Sequence, residues 1–300
     1  MGVVSPTTFN ESIAEPAREA NRSQIRQAWQ RYKQNVLAVA GLVWVIIFFI
    51  IGVIGPWIAP HGYAATNYLM ANHPPTWAYP MGTDSLGHDM FSEILYSIRY
   101  ALEIAVFASL AAFLVGTVLG LWAGLAGGLA DTALMRVVDF FFAFPAYFLD
   151  LILVTKFGRG MGPIIFALAV TGWAGYARLI RGLVLGMRNG EMVEAARALG
   201  ASPVHIARRY LFPNVVSNMV IALAFGIPSD LTVQAALSVV GMGLNPPLPS
   251  FGNMIAAAGS NILGYPWLLY WPAGIFAVTL LSFLFVADGL QEALNPKGGF

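Results

Sequence analysis

The chain has 300 residues, of which 58% are hydrophobic, 13% aromatic and only 10% charged, with a mean hydropathy of +0.68. Soluble domains average about 45–50% apolar and about 25% charged residues, so this composition excludes an ordinary water-soluble globule and points to lipid as the main solvent. A net charge of +1 argues against nucleic acid as a partner, and the lack of cysteine removes disulfides and thiolate metal sites.

Residues 1–16 are polar and predict no packed structure. From Ala17 to Lys33 a helix places Ile25, Trp29 and Tyr32 at i, i+4 and i+7, with Arg18, Arg22 and Arg26 on another side. That pattern suits either a helix lying on the membrane surface or a plain basic tail. Val36–Ile58 comes next, 23 residues without a charge. It exceeds the apolar stretch of a signal peptide and no small-residue cleavage site succeeds it, so it reads as an anchor.

The loop 59–98 is rich in proline and aromatic residues and predicts a structured segment leading into an interfacial helix. Its Asp84, His88 and Asp89 suggest a metal, but the D-x-L-G-x-D run lacks the carboxylates of a calcium loop and one histidine makes a poor transition-metal site. The expectation is a turn and a helix cap, on Asp84 or Ser85, with no metal.

Five more apolar runs lie beyond it. Tyr100–Ala123 carries only Glu103, and Val137–Val154 carries Asp139 and Asp150. Ile164–Leu185 is interrupted by Arg178 and Arg181, Val215–Val240 holds only Asp230, and Trp267–Val286 is uncharged. Each is near the ~20 residues that cross a hydrocarbon core of ~30 Å. The predicted fold is therefore an all-α integral membrane protein with six spans, at 36–58, 100–123, 137–154, 164–185, 214–240 and 267–286. A tail 1–35, loops 59–98, 186–213 and 241–266, and a tail 290–300 flank them.

Lysine and arginine set the orientation. With alternating spans, Arg18, Arg22, Arg26, Arg31 and Lys33 share a side with Arg136, with the six arginines from Arg178 to Arg209, and with Lys297. The other side holds Arg99, Lys156 and Arg159. Thirteen against three predicts both termini in the cytoplasm.

No catalytic constellation emerges. There is no G-x-x-x-x-G-K-[ST] phosphate loop, Gly241-Met242-Gly243 is an isolated G-x-G, and the histidines at 61, 73, 88 and 205 lack zinc-ligand spacing. The chemistry-bearing feature is EMVEAARALGASPVHIARRYLFPN, Glu191–Asn214, a polar patch between two apolar runs. Glu191–Leu199 predicts a short helix with its acids in the first turn, where the helix dipole favours them. Gly200 fits the left-handed position after a helix. Ser202 then caps a second helix with Pro203 at its first position, and Pro213-Asn214 marks the start of the fifth span. Ala195 and Ala196 predict a shallow face open to another protein.

E-A-A-x-x-x-G with a proline 13 residues later (Glu194, Ala195, Ala196, Gly200, Pro213) resembles the EAA loop of ABC-importer permeases. Tyr210 and Phe212 stand where that pattern usually has isoleucine and leucine. W-x-x-Y-A-R-L-I-R-G (173–182), M-G-T-D-S-L-G-H-D-M-F-S (81–92), M-R-V-V-D-F-F-F-A-F-P (135–145) and L-S-V-V-G-M-G-L-N-P-P-L-P-S-F-G (237–252) look like the dipeptide/oligopeptide/nickel branch. The short outer loop resembles the second permease of the pair. The resemblance covers nearly all of the chain from about Trp29.

It implies a type I ABC importer permease fold with its core at 99–289, in the cytoplasmic membrane of a bacterium or archaeon. The implied partners are a second permease, two ATP-binding subunits or one fused ATPase, and an extracytoplasmic solute-binding protein. ATP and magnesium would belong to the ATPase, leaving no catalytic residue, metal or cofactor in this chain. Docking would fall to Glu191, Glu194, Ala195, Ala196, Leu199, Gly200, Ser202 and Pro203. Candidates for the substrate path are Asp230, Gln234 and Arg178. His88 and Glu93 stand where relatives commonly have arginine, Met192 where tyrosine is usual and Gln234 where glutamate is usual. These departures leave the cargo open among peptides, which lead, oligosaccharides and nickel chelates. Two other readings stay open: an ion-coupled secondary transporter using Asp139, Asp150 or Asp230, and an intramembrane enzyme, for which no converging catalytic pair is seen.

Overall fold

The structure is a computed structural model describing residues 26–259 and 262–294. The predicted unpacked tail, most of the predicted surface helix and Lys297 lie outside those residues. The described residues contain no strand beyond one isolated bridge between Thr83 and Asp89.

Residues 26–32 are helical. Tyr32 is buried, and its hydroxyl donates to the Ala38 carbonyl at 3.0 Å. Asn35 then caps α1 (Val36–Ile58) by accepting from the Ala38 N–H at 3.0 Å. Helix α2 (Met90–Ala126) runs for 37 residues, about 55 Å at 1.5 Å per residue, until Gly127 turns to φ +62°. Its cap is Asp89, which accepts from Phe91 N–H and Ser92 N–H, and not Asp84 or Ser85 as predicted. Asp84 instead folds the preceding turn on itself, accepting from the Leu86 and His88 N–H groups at 2.9 and 2.7 Å.

The predicted third span is not one helix. α3 (Gly128–Ala143) and α4 (Ala146–Phe157) meet at 87°. Pro145 forces Phe144 into extended backbone (φ −100°, ψ 141°), which no α-helix accommodates. α5 spans Met161–Met187 and α6 spans Glu191–Ala198. α7 (Pro203–Val239) begins 11 residues before the predicted span, because Ser202 caps it and nothing afterwards stops it. α8 (Phe251–Ala258) lies within the predicted outer loop: Ser250 caps it, and Phe251, Met254 and Ala258 bury one face. α9 (Trp267–Leu294) runs past the apolar stretch. Its polar Glu292 accepts from Asn35 Nδ2 at 3.1 Å.

Five helices (α1, α2, α5, α7 and α9) are long and apolar enough to cross a membrane, and the bent pair α3–α4 makes a sixth if it is one broken span. α2 is the hub, packed most extensively on α5. Glycine permits that approach: a Cβ on Gly120 would stand 2.6 Å from the Ala177 carbonyl oxygen. Gly41 plays the same part between α1 and α9, where a Cβ would lie 2.7 Å from the Ser282 carbonyl oxygen. One apolar cluster, with Phe48, Ile94, Leu231, Phe251 and Phe283, fills the end that carries loop 59–89. Another, with Ile180, Val184, Val193, Ile206, Leu211 and Val215, fills the opposite end and reaches into the polar patch. Side chains such as Val43, Val53, Leu114, Val118 and Leu281 stay exposed on the helix flanks, as lipid-facing residues do.

Candidate functional site

At the end of α5 the chain leaves the apolar body, turns at 188–190 and forms α6. Arg188 Nη1 donates to the Gly124 carbonyl at 3.3 Å, tying this exit to the end of α2. The pattern of α6 decides its placement. Val193 and Ala196, one turn apart, are buried against Ile180, Val184, Ile206 and Leu211. Glu191, Met192, Glu194, Ala195, Arg197 and Leu199 point outward. The two alanines therefore differ: Ala195 lies on the open face, but Ala196, predicted to share it, is turned inward at 5% exposure. The open face is rather a mixture of acids with the exposed apolar side chains of Met192 and Leu199.

The helix ends by local chemistry. Leu199 caps it, Gly200 takes φ +81°, and the Ala201 N–H reaches back to the Ala196 carbonyl at 3.0 Å, six residues closing one loop. Nothing stands within 4 Å of a Cβ built on Gly200, so glycine is required there by backbone conformation alone. Ser202 Oγ then accepts from the His205 N–H at 3.3 Å, with Pro203 in the first turn.

The fifth span does not start at Pro213-Asn214 as predicted. Residues 207–211 widen into a π-turn and the helix continues. Pro213 has no N–H to give to the carbonyl four residues back, and the wider turn absorbs that loss. Asn214 Nδ2 donates to the Tyr210 carbonyl at 2.6 Å. The second arm of the elbow is thus continuous with the span carrying Asp230 and Gln234.

The predicted path residues do not form one constellation. Asp230 accepts from Ser109 Oγ on α2 at 2.5 Å, facing protein and not lipid. Gln234, one turn along, is 1% exposed, and neither of its amide atoms has a hydrogen-bond partner among the described residues. Arg178 is turned toward α3, where it bonds Asp139 at 2.5 Å and lies 4.0 Å over the Phe142 ring. The partners across the fold had no signal in the sequence: Arg181 grips Asp131 through two nitrogens, and Thr171 donates to Asp150 at 2.8 Å. Asp84 and His88 stand beside Glu93, a residue that the predicted D-x-L-G-x-D turn does not include.

Long apolar helices joined by a short helical elbow with an exposed charged face define a multi-pass membrane protein. Likeness to known proteins gives this class its family. The sequence profile of the binding-protein-dependent transport system inner membrane component matches residues 116–298, and that of the N-terminal TM domain of oligopeptide transport permease C matches residues 23–75. The chain is 36% identical over 285 residues to the dipeptide transport system permease protein of Bacillus subtilis, covering 95% of this chain and 89% of that one. It is 32% identical to the oligopeptide transport system permease protein of the same organism, covering 97% and 96%. It is 34% identical to the glutathione transport system permease protein of Shigella flexneri, covering 92% and 91%. Among solved structures, an inward-facing methionine ABC transporter superposes with a TM-score of 0.57 at 19% identity, over 68% of this chain and 96% of that one. This chain belongs to the binding-protein-dependent transport permease family. It has the type I ABC importer permease fold and is a multi-pass inner-membrane protein.

Proposed function

We propose that this chain is the second, short-outer-loop permease of an ATP-driven importer and that α6 is the element through which an ATPase moves it. The observation that carries this reading is the division of α6: Val193 and Ala196 weld it to the body, while Glu191, Glu194, Met192 and Leu199 face outward, their side chains without a partner among the described residues. An ATPase cleft would cover Ala195 and Leu199 and meet Glu194 with a basic or polar group. Nucleotide-driven closure would push α6, and α7, continuous from Pro203, would carry the push into the membrane as a lever. ATP and magnesium sit with the ATPase, which is two subunits or one fused chain, and this chain contributes no catalytic group. A second permease completes the path and an extracytoplasmic binding protein delivers the cargo.

The charge asymmetry supports both termini in the cytoplasm, with loops 59–98 and 241–266 outside. Di- and oligopeptides are the cargo class best supported, because relatives matching over nearly the whole chain are named for dipeptides, oligopeptides and glutathione. Two experiments test the reading. Uptake in cells carrying Glu194→Lys should fall sharply while the permease still reaches the membrane; normal uptake would remove α6 from the mechanism. Capture of the cognate binding protein, with mass spectrometry of its bound ligand, should release peptides; an oligosaccharide or a nickel chelate would reassign the cargo.

A further inference from the structure

Loop 83–89 and the first turn of α2 line an open cavity of about 270 Å³, bordered also by loop 246–249 and α8. Three side chains meet at its edge. Asp84 cannot rotate freely: its Oδ1 is held by two backbone N–H groups, and this leaves Oδ2 presented 2.8 Å from His88 Nδ1. The turn carrying both is fixed by Gly87 at φ +78°, where any side chain would strike the Asn67 backbone. From α2, Glu93 Oε1 approaches the same His88 Nδ1 at 3.8 Å, and one donor atom from each residue fits within a 4.8 Å span.

Glu93 is the decisive group. Its side chain is only 12% exposed, yet no side-chain hydrogen bond reaches its carboxylate among the described residues. Burial is the main influence on it, with the like charges of Asp84 and Asp89 adding to it. Asp89, by contrast, is fully occupied by the Phe91 and Ser92 N–H groups, Ser92 Oγ and His61. A largely buried carboxylate at the edge of a cavity, met only by an imidazole at 3.8 Å and facing a second oriented carboxylate, forms with them a donor set suited to a cation.

We propose that Asp84, His88 and Glu93 bind one divalent transition-metal cation of the zinc type, which pins loop 83–89 to α2. Metal bonds of about 2.0–2.2 Å to nitrogen and oxygen place neighbouring donors roughly 3–3.5 Å apart, and the observed 2.8 and 3.8 Å lie on either side of that separation. An imidazole with two carboxylates suits zinc or nickel over calcium, which takes 6–8 oxygen ligands, and over magnesium, which holds its waters. Water from the cavity would complete the coordination. The site is independent of the coupling role of α6.

The test uses the full chain in lipid nanodiscs, purified through a histidine-free tag and stripped with EDTA. Zn²⁺ is titrated calorimetrically, Mg²⁺ serves as the hard-ion control, and melting is monitored with and without Zn²⁺. The wild-type chain should bind one Zn²⁺ and melt higher with it, and Mg²⁺ should do neither. His88→Gln and Glu93→Gln should each weaken Zn²⁺ binding at least roughly 10-fold and abolish the rise in melting temperature. Glu93→Gln keeps the shape of the side chain and takes away only its ionisable group, so its metal-free melting should not fall, and this separates lost binding from lost folding. Absence of a Zn²⁺-dependent melting shift in the wild type, equal binding in both variants, or equal binding of Mg²⁺ would overturn the site.

Discussion

The membrane-spanning body and the elbow treat charge in opposite ways. In the body every carboxylate on α3, α4 and α7 is matched inside the chain: Asp131 with Arg181, Asp139 with Arg178, Asp150 with Thr171 and Asp230 with Ser109. On the elbow Glu191, Glu194, Arg197, Arg208 and Arg209 make no ion pair or side-chain hydrogen bond among the described residues. Where lipid surrounds the chain, an unmatched charge costs several kcal/mol and the fold answers it locally. Where water surrounds it, charge can stay open, and an open charged face on a rigidly mounted helix is a surface with which another protein can engage. The two regions share α7, which runs unbroken from one into the other.

The sharpest break between the regions is one of access. With no native cysteine, each introduced thiol is the sole target. Leu69→Cys and Leu263→Cys, both almost fully exposed on the loop end, should react completely with an impermeant maleimide in intact cells. Ser202→Cys should react only after lysis, and the reverse pattern would invert the proposed topology. Next in size is Gly200→Val. A side chain in the left-handed region costs about 1–2 kcal/mol and re-aims the elbow, so uptake should fall below that of Glu194→Lys while the spans remain intact. Equal or milder loss in Gly200→Val would mean that the angle of the elbow is not what matters.

Within the body, the pairs differ by burial. Asp131 is mostly buried and held by two nitrogens, so Arg181→Ala should cost about 3 kcal/mol of stability, read as a lower melting temperature in nanodiscs. Arg178 and Asp139 are each about half exposed, so Arg178→Ala should cost no more than about 1 kcal/mol. Equal losses would show that exposure does not grade these pairs. The smallest effect is expected at Asp230→Asn, which keeps an acceptor for Ser109. Assembly should hold and uptake should stay within roughly twofold of wild type, since this substitution is the kind that leaves a hydrogen bond in place. A large uptake loss with assembly intact would put Asp230 on the substrate path.

The elbow was legible because its signals are local. Acids before Ala195, glycine at 200, serine at 202 and proline at 203 each act within four residues, and each takes the backbone role its chemistry predicts. Facing was not legible: Ala195 and Ala196 are the same residue type, and only packing against Ile206 and Leu211 turns one of them inward. The same limit hid Ser109 from Asp230, 121 residues away, and Asp131 from Arg181, 50 away. The break between α3 and α4 did have a signal, Phe144-Pro145, masked by an apolar run that hydropathy reads as continuous. At the start of α2 the predicted caps, Asp84 and Ser85, stand a turn too early, and Asp89, directly before Met90, takes the role.

If α6 is the handle by which an ATPase moves this permease, the two must bind through it. The affinity of the cognate ATPase for the full chain in nanodiscs, wild type against Glu194→Lys, measures that dependence directly. A charge-assisted contact is worth about 1.5–3 kcal/mol, which corresponds to roughly 10- to 150-fold in affinity. A weakening of that size is expected, with the melting temperature of the permease unchanged. Equal affinity for the two chains would contradict a coupling role for α6.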